Sequence, residues 1–218
     1  MRNWLASLLP SSNPAFGLST PLRDTRFVVV DTELTSLERR TNHLLSIGAI
    51  AMNGSTIRLG EQFYRVVNPG TEVPVESILI HGLRPADVGI GSPPADAVHE
   101  FGDFIKDAVL VGHFIGIDVD ALRKEFRATG ESLSNPFLDT SRAFHWLRLQ
   151  DQKLRGLSDV HEQLNLAALA GRYDLDAGEA HHALCDAFVT AQLWQRLLLE
   201  LEDNGVFTLG QALRVARG

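Results

Sequence analysis

The sequence predicts a mixed α/β fold: an antiparallel three-strand meander joined to parallel strands, with helices flanking the sheet. Three observations carry this. Two strand-like stretches follow an apolar run at 26–33, and the second pair is separated by the turn dipeptide Asn53–Gly54. Beyond residue 70, short apolar runs alternate with segments of helical period. A long late segment, "AHHALCDAFVTAQLWQRLLLEL", repeats its apolar residues at steps of three and four.

Taken in order, residues 1–24 hold three prolines and many Ser and Asn, and read as an N-terminal lead-in. Its start, "MRNWLASLLP", reads as a short amphipathic segment rather than a secretory signal. The first strand spans 26–33, the second 43–52, and the third 56–67. "PVESILIHGL" predicts a short helix, and "SPPADAVHEFGDFI" a longer one with Ser92 as N-cap and Pro93 at the first helical position. A buried strand follows at 108–113, then a helix at 118–130 closed by Gly130. "PFLDT" is a short strand, and "SRAFHWLRLQ" and "GLSDVHEQLNL" have helical period. After the long helix, "TLGQALRVA" adds a terminal one. The organisation is a lead-in (1–24), one α/β domain (25–200) and a helical tail (201–218).

Bulk properties narrow the function. The chain has 218 residues, is 44% hydrophobic and 22% charged, and carries a formal charge of −7. That charge argues against a broad basic surface that coats nucleic acid, but not against a local grip on a few nucleotides. A single cysteine, Cys185, allows no internal disulfide and fits a reducing compartment. No apolar run approaches a membrane span, so a cytoplasmic protein without membrane association is expected.

The strand "FVVVDTEL" ends in two acids, Asp31 and Glu33, one residue apart. Alternation puts both on one face, where they repel unless something positive lies between them. Two further patches place acids and histidines at element ends: "GHFIGIDVD", with His113, Asp118 and Asp120, and "HHALCDA", with His181, His182 and Asp186. Taken singly, each has an ordinary reading. Asp118 could be the N-cap of its helix, and His182 with Asp186 a structural pair four residues apart.

Together and in this order, "DTE", an Asp five residues after "GH", and "HxAxxDA" on a late helix resemble the three motifs of the DEDDh exonuclease family. That family includes the proofreading subunit of bacterial DNA polymerase III, ribonuclease T and oligoribonuclease. The "IHGL" at 80–83 also resembles a family segment between the first two motifs. The resemblance covers roughly residues 25–200 and implies a ribonuclease H-like sheet. It implies that Asp31, Glu33, Asp118 and Asp186 hold two divalent metal ions, Mg²⁺ or Mn²⁺. Asp31 would bridge both, Glu33 and Asp186 would serve the nucleophile side, and Asp118 the other. It also makes His181 the general base. Helix geometry alone would favour His182; the two agree if the helix begins near 182 and leaves His181 on the preceding loop. The chain departs from the pattern at Leu34, Thr35 and Ser36, where the family commonly has Thr-Thr-Gly, and at Phe114 and Ile117.

The implied reaction is 3′–5′ exonucleolytic release of nucleoside monophosphates. Two ions about 3.5–4 Å apart can activate the attacking water and stabilise the departing oxygen. Four carboxylates balance two such ions, and a neutral His181 can take a proton from the attacking water. The expected partner is a single-stranded 3′ end of DNA or RNA, held by Leu34, Thr35, Leu37, His113 and Phe114; Arg39, Arg40 and Lys124 read first as solvated surface residues and second as phosphate contacts. Two alternatives stand beside this: an RNA-trimming enzyme or oligoribonuclease, and a non-catalytic nucleic-acid-binding module. The lead-in and tail are candidate contacts for a polymerase, another replication or repair partner, or a homodimer.

Overall fold

The computed structural model describes residues 17–155, 164–177 and 181–217. The amphipathic start of the lead-in and most of the helix expected from "GLSDVHEQLNL" lie outside them. The chain runs β1 (Arg26–Leu34), β2 (Leu44–Asn53), β3 (Thr56–Val66), α1 (Val75–His81), α2 (Pro85–Gly89), α3 (Pro94–Ile105), β4 (Val109–Gly112), α4 (Gly116–Ala128), β5 (Phe137–Asp139), α5 (Thr140–Arg155), α6 (Leu166–Arg172), α7 (Ala183–Asp203) and α8 (Leu209–Ala216). The five strands form one sheet in the order β3-β2-β1-β4-β5. β1–β2 and β2–β3 pair antiparallel, whereas β1–β4 and β4–β5 pair parallel. This is the mixed sheet that the sequence predicts. The hairpin turns at Gly54–Ser55, one residue later than the Asn53–Gly54 signal suggests, because Asn53 pairs with Thr56 and Gly54 takes φ 54°, as a tight turn requires.

Strand alternation builds a core on each side. Phe27 and Val29 of β1 face a cluster with Trp194, Leu197 and Leu201 of α7, Phe144 of α5 and Ala212 of α8. Phe27 meets Trp194 edge-on, with ring centroids 5.7 Å apart. Val28 and Val30 face the other cluster, with Phe101 of α3 and Val119, Leu122 and Phe126 of α4. Residues of the tail belong to the first core: Leu201, Val206, Leu209 and Ala216 are buried in it. In front of β1, a short 3₁₀ turn at Leu22–Asp24 buries Leu22 in the same cluster.

Some local expectations are corrected. Ser92 does not cap α3; Pro93 is the N-cap and Pro94 takes the first helical position. The backbone of Ser92 is used instead in a bridge to β3's end, donating to Val66 O and accepting from Asn68 N. α4 begins before Asp118, with Ile115 as its N-cap, so Asp118 sits in the first turn rather than at the cap. α2 and α6 are not signalled by the sequence pattern. α6 is started by Asn165, whose side chain accepts from Ala168 N.

Candidate active site

The carboxyl ends of the parallel strands β1, β4 and β5 share one edge of the sheet, the edge where open α/β sheets usually bind ligands. Asp31 and Glu33 continue the line of Phe27 and Val29 along β1 and so face α7. Across the ladder, Asp31 lies opposite Gly48 and Glu33 opposite Ser46 of β2. Gly48 determines what happens next. A Cβ there would lie 2.2 Å from Ala183 C and Leu184 N, the first backbone atoms of α7. Only a glycine lets α7 begin directly on the sheet. That approach brings Asp186, in the first turn of α7, to the two β1 acids, and oxygens of Asp31, Glu33 and Asp186 all lie within 4.8 Å of one another.

α7 begins at Ala183, with His182 as its N-cap, and His181 precedes the helix. The helix start expected near residue 182 is thus observed, with His181 left on the preceding loop. His181 adopts φ 66°, a left-handed conformation that histidine tolerates better than most residues, and its backbone N–H donates to Asp186 Oδ2 at 2.8 Å. His182 is held from the sheet by Tyr64 of β3, which stacks on it at 4.7 Å. Tyr64 lies opposite Gly48 in the β2–β3 ladder.

Asp118 arrives from the other side of the strand. Thr32 continues the line of Val28 and Val30 and faces α4. Asp118 Oδ1 accepts from Thr32 N at 2.9 Å and from Thr32 Oγ1 at 2.6 Å, which fixes α4 to the end of β1. Asp118 therefore lies beside the acidic trio without entering it, and it lines the same cleft as Asp31 and His181.

The cleft encloses about 500 Å³. Leu37 and Phe114 stand exposed at it, whereas Leu34 is buried. Thr35 is buried and committed to the loop that follows: its N–H donates to His43 O, and its Oγ1 accepts from His43 N. His113 lines the cleft, but both ring nitrogens are engaged, Nδ1 with Thr140 Oγ1 at 2.8 Å and Nε2 with Leu164 O at 2.6 Å. Two of the proposed phosphate contacts are also engaged. Arg39 pairs with Asp120, and Lys124 donates to Asn42 O, so both pin the 36–42 loop to α4. Arg40 has no partner among the described residues.

Burial and crowding shape the electrostatics. Asp31 is pushed well above the usual carboxylate range by burial and then by Asp118, Glu33 and Asp186. Burial and the charges of Asp186 and Asp118 raise Glu33 to about 7. Burial raises Asp118 to about 7 against the opposing bonds from Thr32. Burial also raises Asp186, opposed by the bond from His181 N. Such a group of hard oxygen donors, each disfavouring its own ionised form, is a donor set that fits divalent cations of the Mg²⁺ type.

Three site residues carry no role in the sequence reading. Gly48 had a signal, since a glycine within an apolar strand marks close backbone approach. Tyr64 had none. His81, in the "IHGL" segment, lines the cleft; its Nδ1 accepts from Leu83 N at 3.0 Å, and its buried Nε2 has no partner among the described residues.

Comparison with known proteins agrees with this geometry. The RNase_T exonuclease family matches residues 28–194. The chain is 33% identical over 201 residues to a DNA polymerase III subunit epsilon-like protein of Rhodobacter capsulatus, covering 91% of this chain but 27% of that one. It is 28% identical to DNA polymerase III subunit epsilon of Aquifex aeolicus, covering 88% of this chain and 90% of that protein. Among solved structures, E. coli exonuclease I in complex with a dT13 oligonucleotide superposes with TM-score 0.71 at 14% identity, over 83% of this chain and 42% of that one. Cell-death related nuclease 4 superposes with TM-score 0.67 at 14% identity, over 85% of this chain and 67% of that one. These neighbours show the ribonuclease H-like fold. The family match spans β1 to α7, the elements that assemble the acidic site, and the chain belongs to the RNase_T exonuclease family.

Proposed function

We propose that this chain is a metal-dependent 3′–5′ exonuclease that removes nucleoside 5′-monophosphates from single-stranded nucleic-acid ends. The observation that carries this is the convergence of Asp31, Glu33 and Asp186 within 4.8 Å beside an open cleft, in a member of an exonuclease family. Their oxygens, with Asp118 alongside, would hold two Mg²⁺ or Mn²⁺ ions. When bound, such ions supply Lewis acidity at the phosphate and lower the pKa of an attacking water.

The chain's own groups supply the rest. His181 sits on the loop at the mouth of the cleft, free of the helix, and takes the proton of the attacking water. The new P–O bond forms as the P–O3′ bond breaks, and the departing 3′ oxygen is protonated from solvent. Leu37, Ile80 and Phe114 offer apolar surface to the terminal bases, which would select an end that is unpaired. The 3′ polarity rests on the resemblance of the three acidic motifs to the DEDDh exonucleases, and the likeness to DNA polymerase III subunit epsilon makes a polymerase the first partner to test.

The test uses a 5′-labelled single-stranded oligonucleotide, as DNA and as RNA, with Mn²⁺ or with chelator. A metal-dependent ladder shortened from the 3′ end is expected. A labelled mononucleotide as the first product would reverse the polarity, and no shortening of either sugar type would leave the binding-module reading. Exclusive action on RNA would favour the trimming enzyme.

A further inference from the structure

We infer that a second concavity, behind the His113 wall of the cleft, binds phosphates of the same strand upstream of its 3′ end. It encloses about 400 Å³ and gathers Arg142, His145 and Trp146 of α5, Arg214 of α8 and Arg217 just beyond it, with Leu164 at its edge. The inference rests on the exonuclease reading above.

Three observations carry it. The first is charge. The protein has a formal charge of −7, yet three guanidinium groups converge here, and none of them has a side-chain partner among the described residues. Elsewhere, arginines such as Arg39, Arg58, Arg65 and Arg84 are paired with acids. Cations gathered with no acid paired to them among the described residues favour a bound anion, which offsets their mutual repulsion.

The second is position. His113, which lines the catalytic cleft, is fixed by Leu164 O and Thr140 Oγ1. Leu164 and Ser141, the residue after Thr140, line the second concavity. Phe114 N and Ser141 N both donate to Asp139 Oδ1, which also accepts from Ser141 Oγ, so the one buried acid in this wall is satisfied by the wall itself. The two concavities therefore stand back to back, separated by one hydrogen-bonded partition. A strand leaving the cleft over Phe114 meets the arginines next.

The third is the chemistry of the lining. Trp146 is half-buried and offers an indole among the cations, the combination of stacking surface and phosphate contact that single strands use. The catalytic cleft is itself acidic, and Arg39 and Lys124 beside it are committed to Asp120 and Asn42. Of those candidate contacts only Arg40 stays unpaired among the described residues, so most of the attraction for a long polyanion has to come from outside the cleft.

The test compares a 30-nucleotide single-stranded DNA with a dinucleotide as substrates for the wild-type chain and for Arg142→Ala/Arg214→Ala/Arg217→Ala. The ratio of kcat/KM for the long over the short substrate should fall about tenfold or more in the variant, through KM of the long one. Anisotropy of the fluorescent 30-mer should show the salt slope of log K shrinking by about 2, at about 0.7 per lost phosphate contact. Trp146→Ala should weaken 30-mer binding about tenfold. An unchanged ratio and an unchanged salt slope would overturn the inference while leaving the exonuclease reading intact. If the wild-type chain cleaves neither substrate, that reading fails, and the anisotropy result alone decides whether this surface holds a strand. Loss of binding to an acidic peptide, with 30-mer binding unaffected, would assign the surface to a protein partner and overturn the inference.

Discussion

The two faces of β1 end differently, although each ends in a carboxylate. On the α4 side, Asp118 takes two hydrogen bonds on one oxygen from Thr32, and its position is explained by that contact. On the α7 side, Asp31, Glu33 and Asp186 crowd together, and the one bond to the trio from the loop is His181 N to Asp186. The first arrangement would serve any helix–strand junction. The second costs stability in a protein left without cations, because three crowded, largely shielded acids share too little hydrogen bonding to offset their repulsion. On the metal site proposed above, the difference separates a positioned acid from acids assembled for a ligand.

The largest expected effect tests that separation directly. Replacing Asp31 by Asn should lower hydrolysis about 10³-fold or more, while the chelated protein melts at an equal or higher temperature than wild type, because repulsion is relieved. If Asp31→Asn both destabilises the fold and retains activity, the trio is structural and the comparison fails. His181→Ala should slow turnover about 10²-fold or more, with only a small drop in Tm from its left-handed backbone, and more than His182→Ala does. The reverse ranking would move the base to the residue that stacks on Tyr64.

Gly48→Ala probes how the α7 side is built without touching a carboxylate. The added methyl must displace the backbone at Ala183 and Leu184, so Asp186 should move away from Asp31. Misplacement on the order of 1 Å predicts about a 10²-fold loss of kcat with a stability loss of about 1–3 kcal/mol. Wild-type kinetics in this variant would show that the close approach of α7 is not needed.

How much of this was legible beforehand divides along the same line. Strand periodicity placed Asp31 and Glu33 on one face, because alternation is a local rule. Motif order made Asp118, His181 and Asp186 candidates, and resemblance rather than spacing assigned their roles. What the sequence did not show are contacts between distant segments. Thr32 with Asp118, Tyr64 with His182, and the engagement of His113 by Thr140 and Leu164 join residues 27 or more positions apart, and no local pattern encodes them. Ser92 misled for a related reason. A serine before two prolines looks like a cap, but its backbone was claimed by the end of β3.

A smaller effect is expected from pH. Glu33 and Asp118 are raised to about 7, and Asp31 and Asp186 are raised as well. An acid whose folded pKa exceeds its unfolded value binds more protons when folded. Its unfavourable contribution is absent below the unfolded pKa, grows as pH rises, and is complete above the folded pKa. The chelated protein should therefore lose stability between about pH 4.5 and 7, by an amount that lowers Tm by about 5 °C, and Glu33→Gln should flatten that fall. Divalent cation should raise Tm more at pH 8 than at pH 5. An equal rise at both would mean that ionised carboxylates do not provide the binding.

The smallest effect lies on the α4 face, and it sharpens the comparison most. Thr32→Val keeps the branched strand residue and the backbone bond to Asp118 but removes the hydroxyl bond, so stability should fall by about 1 kcal/mol. Because Thr32 N still holds Asp118, turnover should change only a few-fold. Asp118→Asn is the complement: its oxygen can still accept both bonds from Thr32, so the junction should remain as stable as wild type while the charge is lost. If turnover collapses in Asp118→Asn but not in Thr32→Val, the charge on Asp118 acts with the trio, and Thr32 serves to aim it. If the two variants lose activity equally and in proportion to stability, Asp118 is only the pin of α4, and the catalytic set is confined to the α7 face.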